Sequence, residues 1–143
     1  NWYGKNPIRM VIDKDLTLPE HLSLFDGSAK TLVFTQKESC SPRYNVEYIQ
    51  LDFDIDILPQ IMQVLYQKKL QTLMVEGGSI LLQSFIDASC WDEAYIEQST
   101  DYLHEGIKAP QYPSSCSYSI QQFFGKSIKY ILNDSSKQTN TSK

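Results

Sequence analysis

A carboxylate, two adjacent glycines and the start of an apolar periodicity stand together in "LMVEGGSILLQSF", residues 73–85. The chain has only six glycines, and two of them are Gly77 and Gly78. Glycines at a strand-to-helix turn let a ligand approach the backbone closely, because no side chain stands in the way. The free N–H groups of a helix's first turn, with the helix dipole, favour an anion there, and phosphate is the usual one. A Gly–Gly turn that merely packs a strand against a helix is the competing reading. Two more polar clusters end apolar runs: Asp13–Lys14 after "IRMVID", and Thr35–Gln36 after "KTLVFT". In an open α/β sheet, ligands collect at the carboxyl ends of parallel strands. If these runs are neighbouring strands, a carboxylate, an ammonium, a hydroxyl and a helix N-terminus face one crevice. Taken singly, Lys14 reads as a solvated loop lysine and Glu76 as a helix-capping carboxylate.

The elements that must carry these groups follow from apolar pattern and punctuation. Branched or apolar runs predict strands at 8–13, 30–35, 45–52 and 72–75. A helix is expected from Asp56, a plausible N-cap, with Pro59 in the first turn where a missing N–H is harmless. Its stripe is Ile57, Leu58, Ile61, Met62, Leu65 and Tyr66, and Lys68 and Lys69 suit its C-terminal end. A second helix runs from Ser79 to about Cys90, with Ile80, Leu81, Leu82, Phe85 and Ile86 recurring at helical spacing. "DEAYIEQS" (92–99) is strand-like, and Gly125–Lys126 reads as a two-residue hairpin turn between "SYSIQQFF" and "SIKYILN". The tail "DSSKQTNTSK", 134–143, is polar, low in complexity and expected to be flexible. The order implies an α/β sheet, parallel at first and antiparallel at its end.

Bulk properties narrow the function classes. A chain of 143 residues, 41% hydrophobic and 21% charged, suits one globular domain with a real core. The net charge of −4, with no basic stripe, argues against a nucleic-acid surface. No apolar run approaches the ~20 residues that span a bilayer, so no membrane partner is expected. Cys40, Cys90 and Cys116 are widely spaced and odd in number, and His21 and His104 are the only histidines. That pattern suggests no zinc site and no nucleophilic cysteine with a histidine base, and it fits reduced thiols in the cytoplasm.

With these readings in place, "NPIRMVIDKDLTLP", "KTLVFT", "LMVEGGSILLQSFIDASCWDEAYI" and "EGIKAP" stand in an order and spacing that resembles a known family. It is the C-terminal reductase domain of the bifunctional riboflavin-biosynthesis deaminase/reductase. The resemblance runs from about Asn6 to Asn133, and the VEGG-to-WDE succession is its most specific part. It implies a dihydrofolate-reductase-like three-layer fold, with a mixed, mostly parallel sheet flanked by helices and an antiparallel C-terminal hairpin. On this reading residues 1–133 are the C-terminal portion of a riboflavin-specific reductase domain.

The implied activity is NADPH-dependent reduction of the ribosyl group of 5-amino-6-(5-phosphoribosylamino)uracil to the ribityl form, by hydride transfer. The resemblance further implies that Glu76 contacts the substrate. It implies that the backbone of Gly78, Ser79, Ile80, Leu81, Leu82, Gln83 and Ser84 cradles the cofactor, and that Lys14 lies near it. A lysine there could face the extra 2′-phosphate of NADPH. No side chain stands out as a required general acid or base, so the catalytic residues are left unassigned. Members of the family pair through their sheets, and a homodimer is expected.

Two departures from the family accompany the match. The H-x-E and P-C-x-x-C signature of a zinc deaminase is absent from the 143 residues. The chain also begins just past the "D-P-x-L-T-x-R" segment that precedes the family's "N-P-I-R" strand. It therefore reads as a C-terminal fragment of a larger protein, expected to be catalytically poor alone. The alternative is a non-catalytic remnant that keeps the fold and serves in oligomer assembly. Dihydrofolate reductase proper shares the fold, but the VEGG carboxylate and the "DEAYIE" continuation fit it less well.

Overall fold

Hydrophobic runs become strands only where another strand satisfies their backbone N–H and C=O groups, and that requirement shapes both halves of the chain. The structure, a computed structural model, describes residues 4–38, 41–101 and 104–134. It divides into two compact units, one ending at Thr72 and the other beginning at Leu73. Cys40 and residues 135–143 of the expected tail lie outside the described residues.

The first unit is built on three parallel strands in the order β1 (Arg9–Ile12), β2 (Thr31–Thr35), β3 (Val46–Gln50). Val11, Val33 and Tyr48 stand opposite one another across the sheet. All five residues of the central strand β2 are buried, as a strand covered on both faces must be. Helix α1 (Ile57–Gln67) starts where expected: the Asp56 carboxylate accepts the Leu58 N–H at 3.0 Å, and Pro59 occupies the first turn. Leu58, Ile61 and Leu65 are the buried face. Met62 and Tyr66, assigned to the same stripe from spacing, are on the exposed side, Tyr66 being 79% exposed.

Ion pairs fix the loops of this unit. The Arg9 guanidinium grips the Asp26 carboxylate at 2.7 Å and the Ser28 hydroxyl at 2.8 Å. Hydrogen bonds from Arg9 and then Ser28 hold Asp26 well below the usual carboxylate range, at about 2. Glu47 on β3 is bracketed by Lys30, at 2.7 Å, and by Lys68 at the C-terminal end of α1. Both ammonium groups lower its carboxyl below the ordinary value. Lys68 thus ties the end of the helix to a strand, in addition to suiting the helix dipole.

The second unit holds helix α2 (Ser79–Asp87) and three antiparallel strands in the order β4 (Glu93–Gln98), β6 (Lys126–Leu132), β5 (Ser117–Phe123). The hairpin turn is Phe124–Gly125, one residue earlier than the expected Gly125–Lys126, because Phe123 pairs with Lys126. Both turn residues have positive φ, 47° and 75°, the pairing that matches the right-handed twist of the flanking strands. Gly125 adopts this without strain. Phe124 does so with its ring 90% exposed.

Two expectations need correction. Residues 72–75 form no strand: Met74 is 79% exposed, and no described strand lies beside the segment to complete a ladder. Helix α2 ends at Asp87 rather than near Cys90, with Ser89 turned to a φ of 53°. The parallel start and antiparallel end expected of the sheet are present as one three-stranded sheet in each unit. The remaining elements lie within one or two residues of their expected bounds, the ordinary fraying of element ends.

Candidate functional site at the start of helix α2

The turn that opens α2 is shaped by its two glycines in different ways. Gly77 has a φ of 144°, which side-chain-bearing residues rarely adopt. Gly78 is the N-cap, with φ −65° and ψ 153°, values open to any residue. Among the described residues, a Cβ at Gly78 would meet nothing within 4 Å. No side chain caps this helix, so the N–H groups of its first turn lack an intrahelical acceptor and remain available to an anion.

Beside that turn runs a shallow groove of about 460 Å³. One wall is α2 itself, through Ser79, Ile80, Gln83, Ser84 and Asp87; the other is the loop Lys108–Pro110. Ile80 departs from the expected apolar stripe: it is 86% exposed and lines the groove, while Phe85 is the residue α2 buries. Leu81 and Leu82 are half-buried. The Ser84 hydroxyl is committed to the Leu81 carbonyl at 2.7 Å, leaving backbone rather than hydroxyl as its contribution to a ligand. Glu76 is exposed just before the turn and makes no hydrogen bond or ion pair among the described residues. Six of the expected cofactor residues, together with Gly78 and Glu76, thus fall in one stretch of the second unit.

Lys14 belongs to the first unit, directly after Asp13 at the carboxyl end of β1. Its ammonium sits 5.6 Å from the centre of the Phe53 ring and forms no ion pair among the described residues. Two of the groups expected to share a crevice with it, Asp13 and Thr35, are spent inside the protein. The buried Asp13 carboxylate accepts the Thr17 N–H at 2.9 Å and the Leu18 N–H at 3.0 Å. The Thr35 hydroxyl donates to the Lys14 carbonyl at 2.8 Å and accepts the Lys37 N–H at 3.2 Å. Both fix the backbone around Lys14 and leave its ammonium as the free charge. A hollow of about 440 Å³ opens where β2 and β3 end, lined by Gln36 and by Gln50 through Asp54.

Sequence reasoning passed over Phe53, Lys108 and Gln111. Phe53 stood in "LDFDID" without periodicity to mark it. Lys108 lay in the "EGIKAP" segment with no spacing to link it to α2.

A parallel three-stranded sheet, a helix at a glycine turn and an antiparallel three-stranded sheet define the class: a dihydrofolate-reductase-like α/β fold. The RibD C-terminal domain model matches residues 1–98, and the chain belongs to that family. It is similar to the riboflavin biosynthesis protein RibD of Bacillus amyloliquefaciens, 31% identical over 98 residues that cover 64% of this chain and 26% of that protein. It is also similar to the 2,5-diamino-6-ribosylamino-4(3H)-pyrimidinone 5′-phosphate reductase of Archaeoglobus fulgidus, 28% identical over 98 residues covering 64% of this chain and 44% of that one. The chain therefore spans less than half the length of these curated relatives. Among solved structures, the diaminohydroxyphosphoribosylaminopyrimidine deaminase/5-amino-6-(5-phosphoribosylamino)uracil reductase of Thermotoga maritima superposes with a TM-score of 0.74 at 22% identity. That superposition covers 90% of this chain and 38% of the other, and establishes the likeness of fold.

Proposed function

We propose that this chain is the reductase part of a riboflavin-biosynthesis enzyme, reducing 5-amino-6-(5-phosphoribosylamino)uracil to its ribitylamino form with NADPH. The observation that carries the reading is the uncapped, glycine-led start of α2, open at Gly78 and bordered by a groove. The names of the relatives supply the reaction class: one is a reductase of a ribosylaminopyrimidinone phosphate. In this reading the backbone of Gly78 through Ser84 cradles the dinucleotide phosphates, with exposed Ile80 offering an apolar surface. Lys14, in the first unit, enters this reading only as the family resemblance implies it, a point charge for the 2′-phosphate. NADPH supplies the hydride, and the protein supplies position. The test is to follow NADPH oxidation by the purified protein with and without the phosphoribosylaminouracil. Substrate-dependent oxidation supports the reading, and its absence where both ligands bind favours the non-catalytic alternative.

Glu76, exposed beside the turn and unpaired among the described residues, is assigned to the substrate. Glu76→Gln is expected to lower kcat/KM about 10- to 100-fold, the loss of one hydrogen bond to a charged acceptor. NADPH affinity should be unchanged. A variant that turns over normally would remove Glu76 from the site.

The reading includes a homodimer. Strand β5 is an edge strand with all seven residues exposed, Tyr118, Ile120 and Phe123 among them, and such edges invite pairing. Sedimentation equilibrium should report twice the chain mass; a monomer at every concentration would contradict it. A cytoplasmic setting belongs to the same reading, supported by the free Cys90 and Cys116. No helix among the described residues is long and apolar enough to cross a membrane.

A further inference from the structure

The side chain of Gln83 is engaged on both its nitrogen and its oxygen, chiefly with one residue of the loop after β4. Its Nε2 donates to the Gln111 carbonyl at 3.1 Å, and the Gln111 N–H donates back to Oε1 at 2.8 Å. The same Nε2 donates to Asp87 at 2.7 Å. A side-chain amide thus pairs with one backbone residue in both directions, as a neighbouring strand would. The described residues between β4 and β5 form no helix or strand, so a few such contacts decide where the loop lies. A second contact is next in sequence, the Tyr112 hydroxyl accepting from Lys129 at 2.7 Å. Just upstream, Lys108 lines the groove opposite α2, and among the described residues it is the one cation to do so and makes no ion pair.

We propose that Gln83 is a positioning residue whose clasp on Gln111 makes this loop the second wall of the cofactor groove, and that Lys108 on that wall binds a phosphate of the dinucleotide. The proposal rests on the cofactor reading given above. It goes beyond the family match, which ends at residue 98 and contains neither Lys108 nor Gln111. A mobile ammonium on a clasped loop adds charge to a site that the α2 backbone otherwise meets only with N–H dipoles.

The test is a double-mutant cycle, titrating NADPH and NADH into the wild-type chain, Lys108→Ala, Gln83→Met and the double variant, at several salt concentrations. Lys108→Ala is expected to weaken NADPH binding about tenfold, as loss of one charge-assisted contact does, and to flatten its salt dependence. Lys108→Arg should restore both. Gln83→Met should mimic the loss although it leaves the lysine in place, and should add little to Lys108→Ala. A merely structural role for Gln83 would not flatten the salt dependence. Equal losses with both cofactors place Lys108 on the pyrophosphate; a loss confined to NADPH places it on the 2′-phosphate. If wild-type protein binds NADPH and Lys108→Ala binds as well, or if the two losses add in full, the proposal is wrong while the cofactor reading stands. If wild-type protein binds neither cofactor, both fall together.

Discussion

Gly78→Val is expected to weaken NADPH binding about 10- to 100-fold while the protein stays folded. The size follows from forcing an extra side chain into filled space, on the order of 1–3 kcal/mol, at ~1.4 kcal/mol per tenfold. Two features make the variant informative. The backbone at Gly78, with φ −65°, suits any residue, and no described residue outside the turn lies within 4 Å of the position a Cβ would take. The free protein should therefore accept valine without strain, so any loss reports crowding of a ligand against the first turn of α2. Calorimetric titration gives the affinity, and a thermal melt confirms the fold. Unchanged affinity would mean the phosphates sit elsewhere. Gly77 would make a poorer probe, because at φ 144° a side chain strains the turn whether or not a ligand is present.

Phe34→Ala is expected to destabilise the protein by ~3–5 kcal/mol, the usual cost of emptying a fully buried aromatic site. Phe34 is 2% exposed in the central strand β2, aligned with Ile12 on β1 and Ile49 on β3. Both neighbouring strands therefore lose a contact at once. The damage should also reach function, because the next residue, Thr35, fixes the Lys14 backbone through its hydroxyl. Denaturant unfolding measures the loss. A change below ~1 kcal/mol would show that the first unit does not depend on β2 as its core. Phe34→Leu, which keeps most of the volume, should cost much less.

Much of the fold could be read from local chemistry. Asp56 and Pro59 mark the start of α1 because capping and a missing N–H act within one turn, and the structure places both where that logic puts them. Arg9–Ile12, Thr31–Thr35 and Val46–Gln50 are strands because branched runs between breakers have few other ways to be buried. What local chemistry does not contain is a partner. "TLMV" has the composition of a buried strand, yet no described strand pairs with it. The hairpin turn falls on Phe124–Gly125 because register across β5 and β6 outweighs the preference for glycine at the first turn position.

The candidate site divides along the same line. Gly77, Gly78 and Glu76 were legible because a turn, a helix start and a carboxylate are adjacent in the chain. Asp13 and Thr35 looked equally available, but the first closes the loop to Leu18 and the second holds the Lys14 carbonyl. Side-chain capping of this sort consumes polar groups that composition alone would offer to a ligand. Gln83 and Gln111 lie 28 residues apart, a contact made by folding that no spacing rule announces.

Calorimetric titration of the chain with NADPH decides whether the glycine turn before α2 is a dinucleotide site. Saturable binding at one site per chain is expected, weakened by Gly78→Val and by added salt. Absence of any heat of binding up to millimolar NADPH would contradict it, leaving a member of the RibD C-terminal domain family that keeps the fold without the cofactor.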